Sequence, residues 1–335
     1  MKTLGKWAAL LLAGILATSA LAADKQLRIG TLATKNSLYH RQLMELGEAW
    51  RTAQGGNAKY LVYPDGSQGG ETDMVRRMRI GQLQGGLLSV VGLREIEPSI
   101  AALQNMPLMF RNWEEVDYVR EKMRPAMEKK FLDKGFVVLA WGDAGWVRFF
   151  SKEPAVRPDD FKKMKFFAWG SEVEQQEIMK SLGYTPVPLE TGDILPAIQT
   201  GMINAVPSTP YFALATQIYT TASNMLELNW APIVGALIIT KKAWDELTPE
   251  GQAAVREAGA KAGVQLRAKA RQEVDDAVDA MKKRGLKVNK PNAEQMQEWN
   301  RLADNLYPRV RGKMVPADTF DEVVGHLKAF RAGQR

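Results

Sequence analysis

Short segments with a two-residue period alternate along this chain with longer segments of helical period. Over residues 25–32, Leu27, Ile29 and Thr31 alternate with charged or polar neighbours, as a half-buried strand requires. Over residues 37–53, Leu38, Leu43, Leu46 and Trp50 share one helix face. Residues 59–63 read as a strand, closed by the turn Pro64-Asp65-Gly66. Residues 71–80 read as a basic helix. Residues 85–91 form a run without charge, apolar except at Ser89, the mark of a strand buried on both faces. A charged amphipathic helix over 113–134 leads into another buried strand over 136–141.

Near Gly142 the alternation restarts. Residues 147–151 and 165–168 read as strands, and 172–182 and 193–199 as helices, with Pro186 and Pro188 between them. Residues 233–240 are again apolar and β-branched, behind Pro232. Such alternation predicts an α/β architecture with mixed or parallel sheets. The longest pattern opens at Thr248-Pro249-Glu250, with Thr suited to the N-cap and Pro to the first helical position. It runs to Arg284, where Gly285 is a sound stop. About 36 residues at 1.5 Å each make roughly 54 Å, longer than one small lobe. The helix either spans two lobes or pairs in a coiled-coil dimer. Ala253, Ala254, Ala258, Ala260 and Ala262 give a seam too small for a strong zipper.

The N-terminus has the form of an export signal. Lys2 and Lys6 precede an apolar run over residues 7–16, and Ala20-Leu21-Ala22 is a small-residue cleavage site. The run is shorter than the ~20 residues of a spanning helix. Residues 1–22 are therefore expected to be removed after Ala22, with a retained N-terminal anchor as the alternative. The chain has no Cys, which rules out a lipoprotein anchor, disulfides and thiolate metal sites. Net charge is +7, of which Lys2 and Lys6 supply two. The basic residues are interspersed. The densest runs, Arg76-Arg77-Met78-Arg79 and Lys162-Lys163, read as solvated surface rather than a phosphate-binding patch. Nucleic acid is not an expected partner.

Three stretches, in order, resemble a known family. Pro64 to Gly81 resembles a Gly-rich turn followed by a helix. The segment Asp160-Phe161-Lys162-Lys163-Met164-Lys165-Phe166-Phe167-Ala168 is similar to the signature Asp-Leu-Lys-Gly-Leu-Lys-Ile-Arg-Val of the periplasmic solute-binding proteins of TRAP transporters. In Gly192 to Pro210, Gln199-Thr200-Gly201 matches the next landmark, while Val206-Pro207-Ser208-Thr209 replaces its polar end. The resemblance implies a periplasmic receptor with two α/β lobes around a cleft and a long helix spanning both. On that topology residues 23–142 form the first lobe, completed by about 232–270, and 143–231 form the second, completed by about 271–331. In the family the signature Arg clamps an organic carboxylate. Phe167 stands in its slot here.

Few residues suggest catalysis. His40 and His326 are the only histidines, and no nucleophile elbow, zinc motif, P-loop or dinucleotide fingerprint occurs. No cofactor or metal is expected, and no reaction. Ser67-Gln68-Gly69-Gly70-Glu71 is either an anion-holding turn at a helix start or a plain tight turn. Aromatic residues are dense: Trp141, Trp146, Phe149, Phe150, Phe166, Phe167 and Trp169, then Tyr211, Phe212 and Trp230. Core packing is the expectation for Phe150 and Phe166. Strand alternation then turns Phe167 and Trp169 toward the cleft, to hold an apolar or aromatic body. Arg148 lies near the place of a second family Arg, with one gap. It holds a ligand carboxylate or makes a surface ion pair. Asn36, Gln68, Ser89, Trp146, Arg148, Phe167, Trp169, Ser208, Thr209, Tyr211 and Trp230 form the candidate ligand set. The expected protein is a monomeric periplasmic receptor. It carries a monocarboxylate or a more hydrophobic solute, rather than a C4-dicarboxylate, to a TRAP permease. A sensing module for a membrane receptor and an exported enzyme on a similar fold are the alternatives.

Overall fold

The computed structural model describes residues 26–56 and 58–334. The expected export signal, residues 1–22, and its expected cleavage site lie outside them. The strands are β1 (Gln26–Thr31), β2 (Lys59–Tyr63), β3 (Gly85–Ser89), β4 (Phe136–Trp146), β5 (Arg148–Ser151), β6 (Lys165–Trp169), β7 (Thr185–Leu189), β8 (Ala205–Ser208), β9 (Asn224–Leu226), β10 (Pro232–Thr240) and β11 (Lys287–Asn289). The helices through the first lobe are α1 (Leu38–Ala53), α2 (Glu71–Arg79), α3 (Val90–Leu93) and α4 (Trp113–Asp133). Those of the second are α5 (Pro158–Lys162), α6 (Val173–Ser181), α7 (Ile194–Thr200) and α8 (Pro210–Ala215). The C-terminal part carries α9 (Lys241–Asp245), α10 (Pro249–Lys282), α11 (Ala293–Val310) and α12 (Ala317–Gly333).

Two mixed sheets form, in the orders β2-β1-β3-β10-β4 and β11-β9-β5-β8-β6-β7. β1 runs parallel to β2 and β3, whereas β10 runs antiparallel to β3 and β4. The chain thus leaves the first sheet along β4, builds most of the second, and returns along β10. The crossing strands stay paired to their ends, with Pro232 opposite Trp146. β4 continues five residues beyond the predicted end at Trp141. Gly145 permits this: its φ of +102° lies where β10 shows an irregular register at Ile233 and Val234.

Both sheets are covered on both faces. Leu88 packs with α2, α3 and α4, while Leu87 on the opposite face packs with the core under α1. In the second sheet Phe149 and Phe166 share one cluster, and Phe150 and Phe167 the other. That division follows from the two-residue period of a strand. β7 was not anticipated, because Pro186 and Pro188 interrupt it. It is an edge strand, the one place in a sheet that tolerates missing N–H donors.

The long helix α10 begins at an N-cap, Thr248, whose hydroxyl accepts from Gly251 N–H at 3.2 Å. Its 34 residues cover about 51 Å at 1.5 Å each. Val255 joins the first-lobe core and Met281 the second-lobe core. The small residues of its seam bring it close to β4. A Cβ on Gly259 would stand 2.4 Å from the Leu139 carbonyl oxygen. The seam therefore docks on a sheet within the same chain. α11 also straddles the lobes, with Trp299 in a second-lobe cluster and Leu306 and Val310 in a first-lobe cluster.

Candidate functional site

Residues of both lobes line one cavity of about 380 Å³. That volume falls within the ~300–1,000 Å³ of small-molecule sites. The first lobe contributes the carboxyl ends of β1 and β3 through Thr31, Leu87, Leu88 and Ser89, with Tyr39 from α1 and Glu71 from α2. The second contributes Phe166 to Trp169 at the end of β6, Ser208 and Thr209 after β8, and Tyr211 on α8. Carboxyl ends of parallel strands are where open α/β sheets usually hold ligands. Phe149, Trp230 and Trp299 close the cavity as an aromatic group. Trp299 stacks on Phe149 at 5.5 Å between centroids, with Trp230 edge-on at 5.6 Å to each. Phe167 and Trp169 meet edge to face at 4.8 Å.

The charge at the wall is acidic and internally engaged. Glu71, buried, accepts from Ser89 N–H at 2.8 Å, Ser89 Oγ at 2.7 Å and Gly92 N–H at 2.9 Å. Burial pushes its pKa up, and these hydrogen bonds only partly offset the effect. Glu172 at the start of α6 pairs with Arg94 at the end of α3, Nη1 to carboxylate 2.8 Å, so this ion pair joins the lobes. Burial raises Glu172 too, with Arg94 opposing and Glu174, Glu95 and Glu71 adding to the rise. Asp143 on β4 accepts from Arg120 at 2.6 Å and from Arg271 of α10 at 2.7 Å. Tyr39 donates to the Asp143 carbonyl at 2.9 Å. This network ties α4 and α10 to the crossing strand. Among the described residues, no Lys, Arg or His lines the cavity.

Seven of the candidate residues meet at this wall: Ser89, Phe167, Trp169, Ser208, Thr209, Tyr211 and Trp230. Two have local duties there. Ser89 Oγ accepts from Val91 N–H as the N-cap of α3, and Thr209 caps α8. Phe167 reaches the cavity but is 3% exposed and packs among Phe150, Ile194 and Ile198, so it serves core and wall together. Phe166, expected in the core alone, also touches the cavity from its own cluster.

The other four lie off the wall. Asn36 is an exposed turn residue with φ +64°, whose carbonyl accepts from Arg41. Gln68 belongs to the turn before α2, whose Gly66 and Gly69 take positive φ. Trp146 ends β4 inside the first-lobe core, its ring 5.0 Å from that of Trp113. Arg148 is largely desolvated, which lowers its pKa, while Glu227 and Asp275 act the other way. Its Nε is buried without a hydrogen-bond partner, and the side chain does not line the cavity. The glycine turn also meets a carboxylate of the protein itself. Glu190 of the second lobe stands 2.8 Å from where a Cβ on Gly70 would be, at the start of α2. A smaller cavity of about 190 Å³ lies beside it.

Sequence reading missed Glu71, Arg94, Gln104, Glu172 and Trp299. For Trp299 a signal existed: Met296, Trp299, Ala303, Leu306 and Val310 recur at helical spacing. For the others no local pattern distinguishes them from polar surface residues.

The family model for bacterial extracellular solute-binding proteins, family 7, matches residues 29–313. The chain belongs to that family. It is a TRAP-type, DctP-like binding protein, as the resemblance implied. It is 22% identical over 262 residues to the C4-dicarboxylate-binding periplasmic protein DctP of Rhodobacter capsulatus, covering 76% of this chain and 78% of that one. It is 24% identical over 287 residues to the 2,3-diketo-L-gulonate-binding periplasmic protein YiaO of Escherichia coli, covering 84% and 86%. The fold matches a TRAP periplasmic solute-binding protein of Ralstonia eutropha with bound (S)-2-acetolactate. The TM-score is 0.82 at 17% identity, over 91% of this chain and 99% of that one. The two-lobed α/β fold is thus shown, and the relatives are receptors rather than enzymes.

Proposed function

We propose that this protein captures a small organic solute between its lobes in the periplasm and delivers it to the permease of a TRAP-type secondary transporter. The observation that carries this reading is a solute-sized cavity lined from both lobes in a chain of this family. The reading extends to export with cleavage after Ala22 and action as a monomer. Its solute has an apolar or aromatic body. The wall sets Phe167, Trp169, Phe149 and Trp230 within a mostly apolar lining that carries a minority of polar side chains. Phe167 stands where the family signature places its carboxylate clamp, and C4-dicarboxylates accordingly bind poorly. A second carboxylate would be desolvated there without a partner.

The test joins thermal shift to small-angle scattering on the mature protein. A solute that binds only the native state adds about 2.7 kcal/mol at 100-fold excess over Kd. The expected result is a set of hits that raise Tm and compact the particle. Hits that leave the scattering unchanged would refute closure. Unimpaired solute uptake in a strain lacking this protein would refute the transport role.

A further inference from the structure

We infer that the solute is uncharged and offers a hydrogen-bond donor, a hydroxyl or amide N–H on an apolar or aromatic body, rather than a carboxylate. This deepens the receptor reading and rests on it. Three observations converge. The first is the balance of charge. The ionisable acids on the wall are Glu71, Asp143 and Glu172. Asp143 and Glu172 already hold arginines, and the hydrogen bonds to Glu71 come from neutral donors. An incoming carboxylate finds no charge-assisted donor at the wall and meets Glu71, an acid that no cation among the described residues pairs.

The second is an open acceptor. Gln104 lies on the wall, and its Oε1 is buried without any hydrogen-bond partner. A buried acceptor left unmade is costly, so a ligand that donates to it gains selectivity over one that cannot. A carboxylate brings a second acceptor instead. The third is the placement of Arg148. Arg148 lies off the wall, under the charges of Glu227 and Asp275. The wall thus offers an open acceptor and apolar rings but no basic side chain.

The experiment compares matched pairs that differ only in the polar head: 2-phenylethanol against phenylacetate, and 1-hexanol against hexanoate. Tryptophan fluorescence and calorimetry give affinity, and small-angle scattering gives closure. The alcohol of each pair should bind at least tenfold tighter than its acid and compact the particle. Gln104→Leu should weaken the alcohol about tenfold with Tm retained, and Arg148→Ala should leave it within twofold. A carboxylate that binds tighter than its alcohol and closes the lobes overturns this inference while leaving the receptor reading intact. An alcohol unaffected by Gln104→Leu overturns the anchoring role. Absence of binding by both alcohols overturns the inference, while the receptor reading stands or falls with the wider screen and the uptake measurement.

Discussion

Removing Arg94 should open the receptor. Arg94 ends α3 in the first lobe and Glu172 starts α6 in the second, 78 residues later. Their side chains are 16% and 6% exposed, and the contact is 2.8 Å. Breaking a fully buried pair costs about 3–5 kcal/mol, because the remaining charge is stranded. An exposed pair is worth about 0–1 kcal/mol. Here separation of the lobes lets water reach the stranded Glu172, so the loss falls between these limits, about 2 kcal/mol on the closed state. The second contact of Arg94, to the half-exposed Glu174 at 3.4 Å, adds little. A loss of 2 kcal/mol in the binding-competent form weakens apparent affinity about 30-fold. Calorimetry of Arg94→Ala with an identified solute should show this loss, mainly as faster dissociation. Scattering of the liganded variant should show a larger open fraction. Glu172→Gln and the double variant complete a cycle whose coupling energy should be about 2 kcal/mol. A change below threefold for Arg94→Ala, or a cycle with no coupling, would show that the pair does not hold the lobes together.

Three other outcomes are expected. Phe167→Ala should cost about 3–5 kcal/mol in denaturant unfolding, since the ring is 3% exposed among Phe150, Ile194 and Ile198; a loss below 1 kcal/mol would place the ring in the cleft only. Glu71→Gln should remove a pH-dependent penalty. Burial raises the Glu71 pKa, so the native state binds more protons than the unfolded one above about pH 4, and its contribution to stability falls as pH rises through that window. The Tm gap between wild type and variant should therefore shift in favour of the variant from pH 4 toward neutrality; a pH-independent gap refutes it. Gly259→Ala should cost about 1–3 kcal/mol by pushing α10 off the Leu139 carbonyl, read as a lower urea midpoint; an unchanged midpoint would mean that this approach is easily relaxed.

The sequence alone determined the local elements and which residues share a face. The period of two separated Phe166 from Phe167, and the structure finds them in different clusters. The caps at Thr248 and Gly285 bounded the long helix to within a few residues, because caps act on adjacent backbone groups. Ordered motifs placed the chain in its family, which the family model then showed. What covers each face was decided only in three dimensions. Nothing around Glu172 reveals that Arg94, 78 residues earlier in the other lobe, pairs with it. Nothing near Glu71 reveals that Ser89 and Gly92 would take up its oxygens. β7 was hidden because its prolines are acceptable only at an edge, and a strand's place in a sheet is a long-range property. Periodicity is fixed by backbone geometry within a few residues. The partners of a buried charge are fixed by which distant elements the fold packs against it.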